Sequence, residues 1–261
     1  MSSGFTKDKA DAGSREKINA AKNTLILSFA EAYNILCGMI IVVALAHIVG
    51  NAGLGLYSFS FSAGAVACIL ALFGSNDYIV REVSRYPAKR GYYFTASLIS
   101  RGTILIACVI LLEILFRFLN YPVDKKTVFY LIFFTRVLDS FLFTFYSFFR
   151  AFQKMIYEGA VRLALNTVSL AFGLIFLFRY RDLGVFAAVQ LVTYFLFSAA
   201  TFYICGRFFI HPGVFSGNFH AIMKNCRDFI RESLHLSVIQ ILLVLYVQIN
   251  TILLTLIKGE A

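Results

Sequence analysis

Across 261 residues the chain is 59% hydrophobic and 15% charged, with 29 Phe and a formal net charge of +10. Soluble domains average about 45–50% apolar and about 25% charged residues, so a water-soluble globule is excluded and membrane residence is the first conclusion. In such a chain the positive balance marks cytoplasmic loops rather than a nucleic-acid surface, and no nucleic-acid partner is expected.

A bilayer core needs about 20 apolar residues per helix. Residues 1–22, MSSGFTKDKADAGSREKINAAK, read as a polar cytoplasmic leader. Seven apolar runs follow, near Thr24–Val49, Leu56–Ser75, Phe94–Phe116, Val128–Phe149, Gly159–Phe178, Leu183–Gly206 and Leu234–Ile257. The first run is too long for a cleaved secretory signal, whose apolar region spans about 7–15 residues, and reads as a retained anchor. The fold class expected is therefore an all-α integral membrane bundle of about seven helices. Residues 23–208 hold six of the runs, 209–233 a cytoplasmic amphipathic linker, and 234–261 the seventh run, which the family resemblance described below makes the first helix of a second lobe.

Lys and Arg orient the stack. With the N-terminus inside, sixteen basic residues fall on the cytoplasmic side and six outside, as the positive-inside rule requires. Arg101 and Arg136 belong to neither side, because they stand within the third and fourth spans. In the long sixth connector, Phe219, Ile222, Met223, Cys226, Phe229 and Ile230 recur at helical spacing. The pattern marks a surface helix that serves either as a hinge between bundles or as a basic linker held by acidic lipids. The five cysteines form no C-x-x-C pair, and His211, His220 and His235 lack ligand spacing. No metal site or cofactor is expected, and with no nucleophile–base set or phosphate loop, no catalytic residue and no covalent chemistry.

The second span and its exit, GLGLYSFSFSAGAVACILALFGSNDYIVREVSRYPAKRGYYF, combine a Gly-x-Gly-x-Tyr entry, a Phe-Gly break and an Ile-Val-Arg-Glu exit. The exit of span four, SFFRAFQKMIYEGAVRLALNTV, carries an Arg-x-x-Gln-x-Met turn. Span seven, LSVIQILLVLYVQINTILLTLIKGE, has Asn250 at the place of an Asp in a Tyr-x-x-Ile-Asp-x-x-x-Leu pattern. From about Thr24 onward the order of these pieces resembles the polysaccharide-type lipid flippases. These are the O-antigen (Wzx-like) branch of the multidrug/oligosaccharidyl-lipid/polysaccharide exporter superfamily. The resemblance implies 12 to 14 helices in two lobes, with alternating access to a central cavity, in the bacterial cytoplasmic membrane. On that pattern the chain reads as a first lobe plus one helix. The implied substrate is a polyprenyl-diphosphate-linked oligosaccharide held in a cationic cavity, with membrane lipids and other polysaccharide-assembly proteins as partners.

On that expectation the intramembrane charges become the candidate site. A charge at a helix centre costs roughly 2.5–3.5 kcal/mol on insertion scales, and Arg offers phosphate a planar fork of donors. Arg136 and Arg101 are expected to line a watery cavity and engage the diphosphate, with Asp139, three residues on, orienting Arg136 in the empty site. Arg162 stands at the inner mouth, and Asn166 either bonds sugar hydroxyls or bridges helices. Glu31 either carries a coupling proton or reaches the interface or Arg101. The competing reading of Arg136 is an ion pair with Asp139 or Glu113 that only fixes packing. The Phe-rich wall of span four reads as a lipid face, and Gly38, Gly64, Gly102 and Gly173 as points of close helix contact. The functional alternatives are a cation-efflux carrier of the same superfamily, a membrane-bound glycan polymerase or ligase, and a seven-helix receptor. A cation carrier would want an acidic lumen and a polymerase a large outer loop; the charge bias places a receptor's N-terminus on the wrong side.

Overall fold

The computed structural model describes residues 3–72, 75–119 and 121–209, with side chains from residue 22 to residue 207 of these stretches. The predicted linker helix and the seventh span lie outside the described residues. The described chain is helical, in the order α1 (Ser3–Ile48), α2 (Gly50–Leu72), α3 (Ser75–Arg85), α4 (Arg90–Phe118), α5 (Val123–Ala151), α6 (Met155–Tyr180) and α7 (Leu183–Phe209), with one 3-10 turn at Pro87–Lys89. Six helices are long and apolar enough to cross a membrane, with α2 and α3 together counting as one. At about 1.5 Å per residue, the 26-residue α6 spans about 39 Å.

Local chemistry sets the boundaries. The polar leader does not form a separate coil, because α1 begins at Ser3 and runs unbroken into the first span. The expected connector GNAGLG is likewise helical: the chain reverses at Gly50 alone, whose φ of +76° suits a residue without Cβ, and α2 starts there. Pro122, with φ −57° and ψ 136°, precedes α5, where its missing N–H costs no hydrogen bond. At the end of α6, Arg181 is left-handed and its N–H reaches Leu177 O at 2.9 Å. Gln153 is also left-handed, and Lys154 N–H closes on Phe149 O at 2.8 Å to turn α5 into α6.

The spans are apolar on all sides, so hydrophobicity alone does not choose their facing. Close approach does. A Cβ on Gly64 of α2 would stand 2.9 Å from Arg136 Cβ on α5, and one on Gly173 of α6 would stand 2.7 Å from Gln190 Nε2 on α7. Gly38 and Gly102, expected in the same role, have nothing within 4 Å of such a Cβ. The resulting bundle is centred on α5, which packs most extensively on α7 and α2, while α1 packs chiefly on α6. The aromatic wall of α5 is core rather than lipid face. Phe129, Phe133, Phe145, Phe148 and Phe149 are buried, and the last three join Phe94, Leu142 and Cys205 in one cluster.

Substitution Gly64→Leu is expected to force α2 away from α5 at a cost of about 1–3 kcal/mol. The check is a lowered melting transition in detergent, with Gly38→Ala unchanged as the control.

Candidate functional site: a charged cavity inside the bundle

A cavity of about 430 Å³ opens between α1, α2, α5, α6 and α7. Four charged side chains line it: Glu31 from α1, Arg136 and Asp139 from α5, and Arg162 from α6. Arg136 stands midway along α5. Helical spacing brings Asp139 onto its face, one turn on, and Arg136 Nη1 donates to Asp139 Oδ2 at 2.7 Å. The guanidinium also lies 4.3 Å from the centroid of the Phe61 ring on α2, a cation–π contact that Gly64, one turn along, makes room for. Both ions are largely buried, with side chains 24% and 16% exposed.

Toward the α5–α6 turn a second set of charges forms a chain. Arg162 Nη1 contacts Glu31 Oε2 at 2.7 Å, and its Nη2 contacts Glu158 Oε1 at 2.9 Å. Glu158 is fully buried and also accepts a two-point fork from Arg150, at 2.8 Å from Nε and 2.6 Å from Nη2. The rings of Phe143 and Tyr146 cover Arg162, with centroids 5.2 Å and 4.9 Å away. The Arg-x-x-Gln-x-Met turn thus has a physical basis: Gln153 supplies the left-handed reversal, and Arg150 reaches across it to Glu158.

The structure brings together five of the six expected site residues, namely Glu31, Arg136, Asp139, Arg162 and Asn166, on one wall. It removes the sixth. Arg101 is 1% exposed on α4, which contributes nothing to the cavity. Its Nη1 donates to Ser140 O and Thr144 Oγ1, and its Nη2 to Ser75 Oγ and Asn76 Oδ1 at 3.1 Å each. Arg101 therefore ties α4 to α5 and to the start of α3, and the expectation that it lines the cavity is corrected. Burial commits both Nη groups to neutral acceptors and leaves no opening through which a phosphate could reach the guanidinium.

A second correction concerns charge. The cavity wall is balanced, two arginines against two carboxylates, rather than cationic. Glu31 pairs with Arg162 rather than with Arg101, and remains 54% exposed. Glu113 does not reach Arg136; it takes Lys126 Nζ at 2.7 Å and Tyr130 Oη at 2.9 Å near the far ends of α4 and α5. Gln190 bridges helices, exchanging bonds with the Ser169 hydroxyl and carbonyl. Gln240, Gln248 and Asn250 lie outside the described residues. Glu158 escaped the sequence reading, although its position four residues before Arg162 on one helix was the available signal. Tyr57 and Tyr194 line the cavity with no sequence signal, since only the packing of α2 and α7 brings them there.

Six spans of membrane length among the described residues, five of them lining an internal charged cavity, define a multi-pass α-helical membrane protein. A family model described as polysaccharide biosynthesis protein matches residues 20–261, and the chain belongs to that family. No curated protein and no solved structure matches it.

Two substitutions separate structural from functional charge. Arg101→Leu strands Thr144, Ser75, Asn76 and the Ser140 carbonyl, at about 1–3 kcal/mol per buried group, and is expected to reduce both folded yield and melting temperature. Glu158→Gln breaks a buried pair worth about 3–5 kcal/mol when one partner is removed. It is expected to lower the melting temperature as well, measured on protein purified in the same detergent.

Proposed function

We propose that the protein is a lipid-linked-oligosaccharide flippase, moving a polyprenyl-diphosphate-linked repeat unit across the bacterial cytoplasmic membrane with its N-terminus in the cytoplasm. The observation that carries this reading is the Arg136–Asp139 pair, placed mid-span on the wall of a cavity inside the bundle. A diphosphate cannot cross hydrocarbon unpaired, whereas the lipid tail can stay in the bilayer while the headgroup passes through protein. Arg136 supplies a permanent positive charge and a planar donor fork for phosphate oxygens. Its Nε, buried without a partner among the described residues, is a donor still to be used.

Asp139 holds the guanidinium in place while the cavity is empty. Arrival of the diphosphate exchanges one anion for another at Arg136, so no stage leaves a bare cation in a low-dielectric wall. Arg162 offers the same exchange nearer the α5–α6 turn, with Glu31 as the displaced partner. Alternating access then turns the loaded cavity from one side of the membrane to the other. Membership of the polysaccharide biosynthesis family supports a glycan cargo over a cationic drug.

Charge-assisted hydrogen bonds are worth about 1.5–3 kcal/mol, so Arg136→Ala is expected to reduce surface-glycan export by about tenfold or more. Lipid-linked intermediates should accumulate, and Arg136→Lys should fall between the two, since it keeps charge without the fork. Full export by Arg136→Ala at normal protein levels removes this residue from transport.

A further inference from the structure

The ionic groups of the cavity are already paired with one another, but its neutral polar groups are not. The Tyr146 hydroxyl is buried without a hydrogen-bond partner among the described residues, on a residue only 2% exposed. The Asn166 amide and the side chains of Tyr57 and Tyr194 stand on the same cavity wall. All four line the same cavity, one each from α2, α5, α6 and α7. Burying the Tyr146 hydroxyl unpaired costs about 1–3 kcal/mol, and such a group beside three further polar side chains on a cavity wall fits a site that a ligand completes. Aromatic faces lie among them: Tyr57 packs against Phe61 and Phe186 at centroid distances of 5.9 Å and 6.1 Å. Ser169 and Gln190, by contrast, satisfy each other.

We infer that Tyr57, Tyr146, Asn166 and Tyr194 form a sugar-reading subsite, distinct from the Arg136 and Arg162 anion groups, that recognises the glycan of the cargo through its hydroxyls. Rings give a pyranose apolar faces to pack on, while tyrosine hydroxyls and an amide both donate and accept, as sugar hydroxyls do. An anion would use only the donors of these groups and leave their acceptors unmet, and a purely apolar ligand would use neither. The cavity volume falls within the range of about 300–1,000 Å³ usual for small-molecule sites. The inference rests on the flippase reading and assigns a different task to different residues. Arginine holds the diphosphate, common to every cargo of this kind, and the neutral set selects the sugar.

The test uses the purified full chain and two soluble probes in calorimetric titrations. One is the repeat-unit oligosaccharide released by mild acid from the parent cell's polyprenyl-linked pool; the other is inorganic pyrophosphate. Tyr146→Phe, Tyr194→Phe and Asn166→Ala are each expected to weaken oligosaccharide binding about three- to tenfold, the value of one hydrogen bond, and to leave pyrophosphate binding unchanged. Arg136→Ala should do the reverse. Tyr146→Phe should also keep or raise the melting temperature, because it deletes an unpaired buried hydroxyl. Unchanged oligosaccharide affinity in all three variants overturns the subsite. So does wild-type protein that binds pyrophosphate but no free oligosaccharide, or a parallel loss of both affinities together with stability. In each of these cases the flippase reading is judged separately, by export in Arg136→Ala.

Discussion

A charge inside a membrane bundle must carry its counter-charge or its acceptors with it, and the interior of this protein is arranged around that requirement. At an effective dielectric of about 20, opposite charges about 4 Å apart attract by about 4 kcal/mol, the same order as the insertion cost of one of them. Arg136 is matched by Asp139, Arg162 by Glu31 and Glu158, and Arg150 by Glu158. Arg101, lacking a carboxylate, is surrounded by four oxygen acceptors instead. Two solutions to one electrostatic problem produce two kinds of arginine. One kind is locked into packing, and the other stands on a cavity wall beside its carboxylate partner.

Where the open space falls is a matter of backbone distance. Gly64 lets α2 close onto α5 beside Arg136, and Gly173 lets α6 close onto the Gln190 side chain of α7. These contacts draw the helices together around the cavity without filling it. Small residues at such points are how membrane helices associate, because lipid tails supply no hydrophobic drive between them. The phenylalanines of α5 then pack inward against α3, α4 and α7, making α5 the post on which Arg136 and Asp139 are mounted.

The cavity divides its chemistry between saturated and unsaturated groups. Its ions form pairs and add to zero formal charge, which keeps an empty cavity tolerable in a low-dielectric wall. Its Tyr146 hydroxyl, buried without a partner among the described residues, holds hydrogen-bonding capacity in reserve. In the flippase reading proposed above, an anionic sugar-bearing headgroup would engage both.

Membrane residence, six of the spans and the contact of Arg136 with Asp139 were legible in the amino-acid order. Apolar run length is set by bilayer thickness, and a three-residue spacing on a helix is a contact whatever surrounds it. The bend at Gly50 was legible only in part: the glycines of GNAGLG marked a break, but one residue sufficed to make it. Arg101 and Arg136 are alike as sequence, each an arginine in an apolar run. Only the packing of α4 against α3 and α5 sealed one away, while the gap between α1, α5 and α7 left the other on a cavity wall. Glu158, Tyr57 and Tyr194 gained their places in the same way. Sequence determined which charges enter the membrane; which of them meet space and which meet protein is a property of how uniformly apolar helices turn toward one another, and tertiary contact alone decides that.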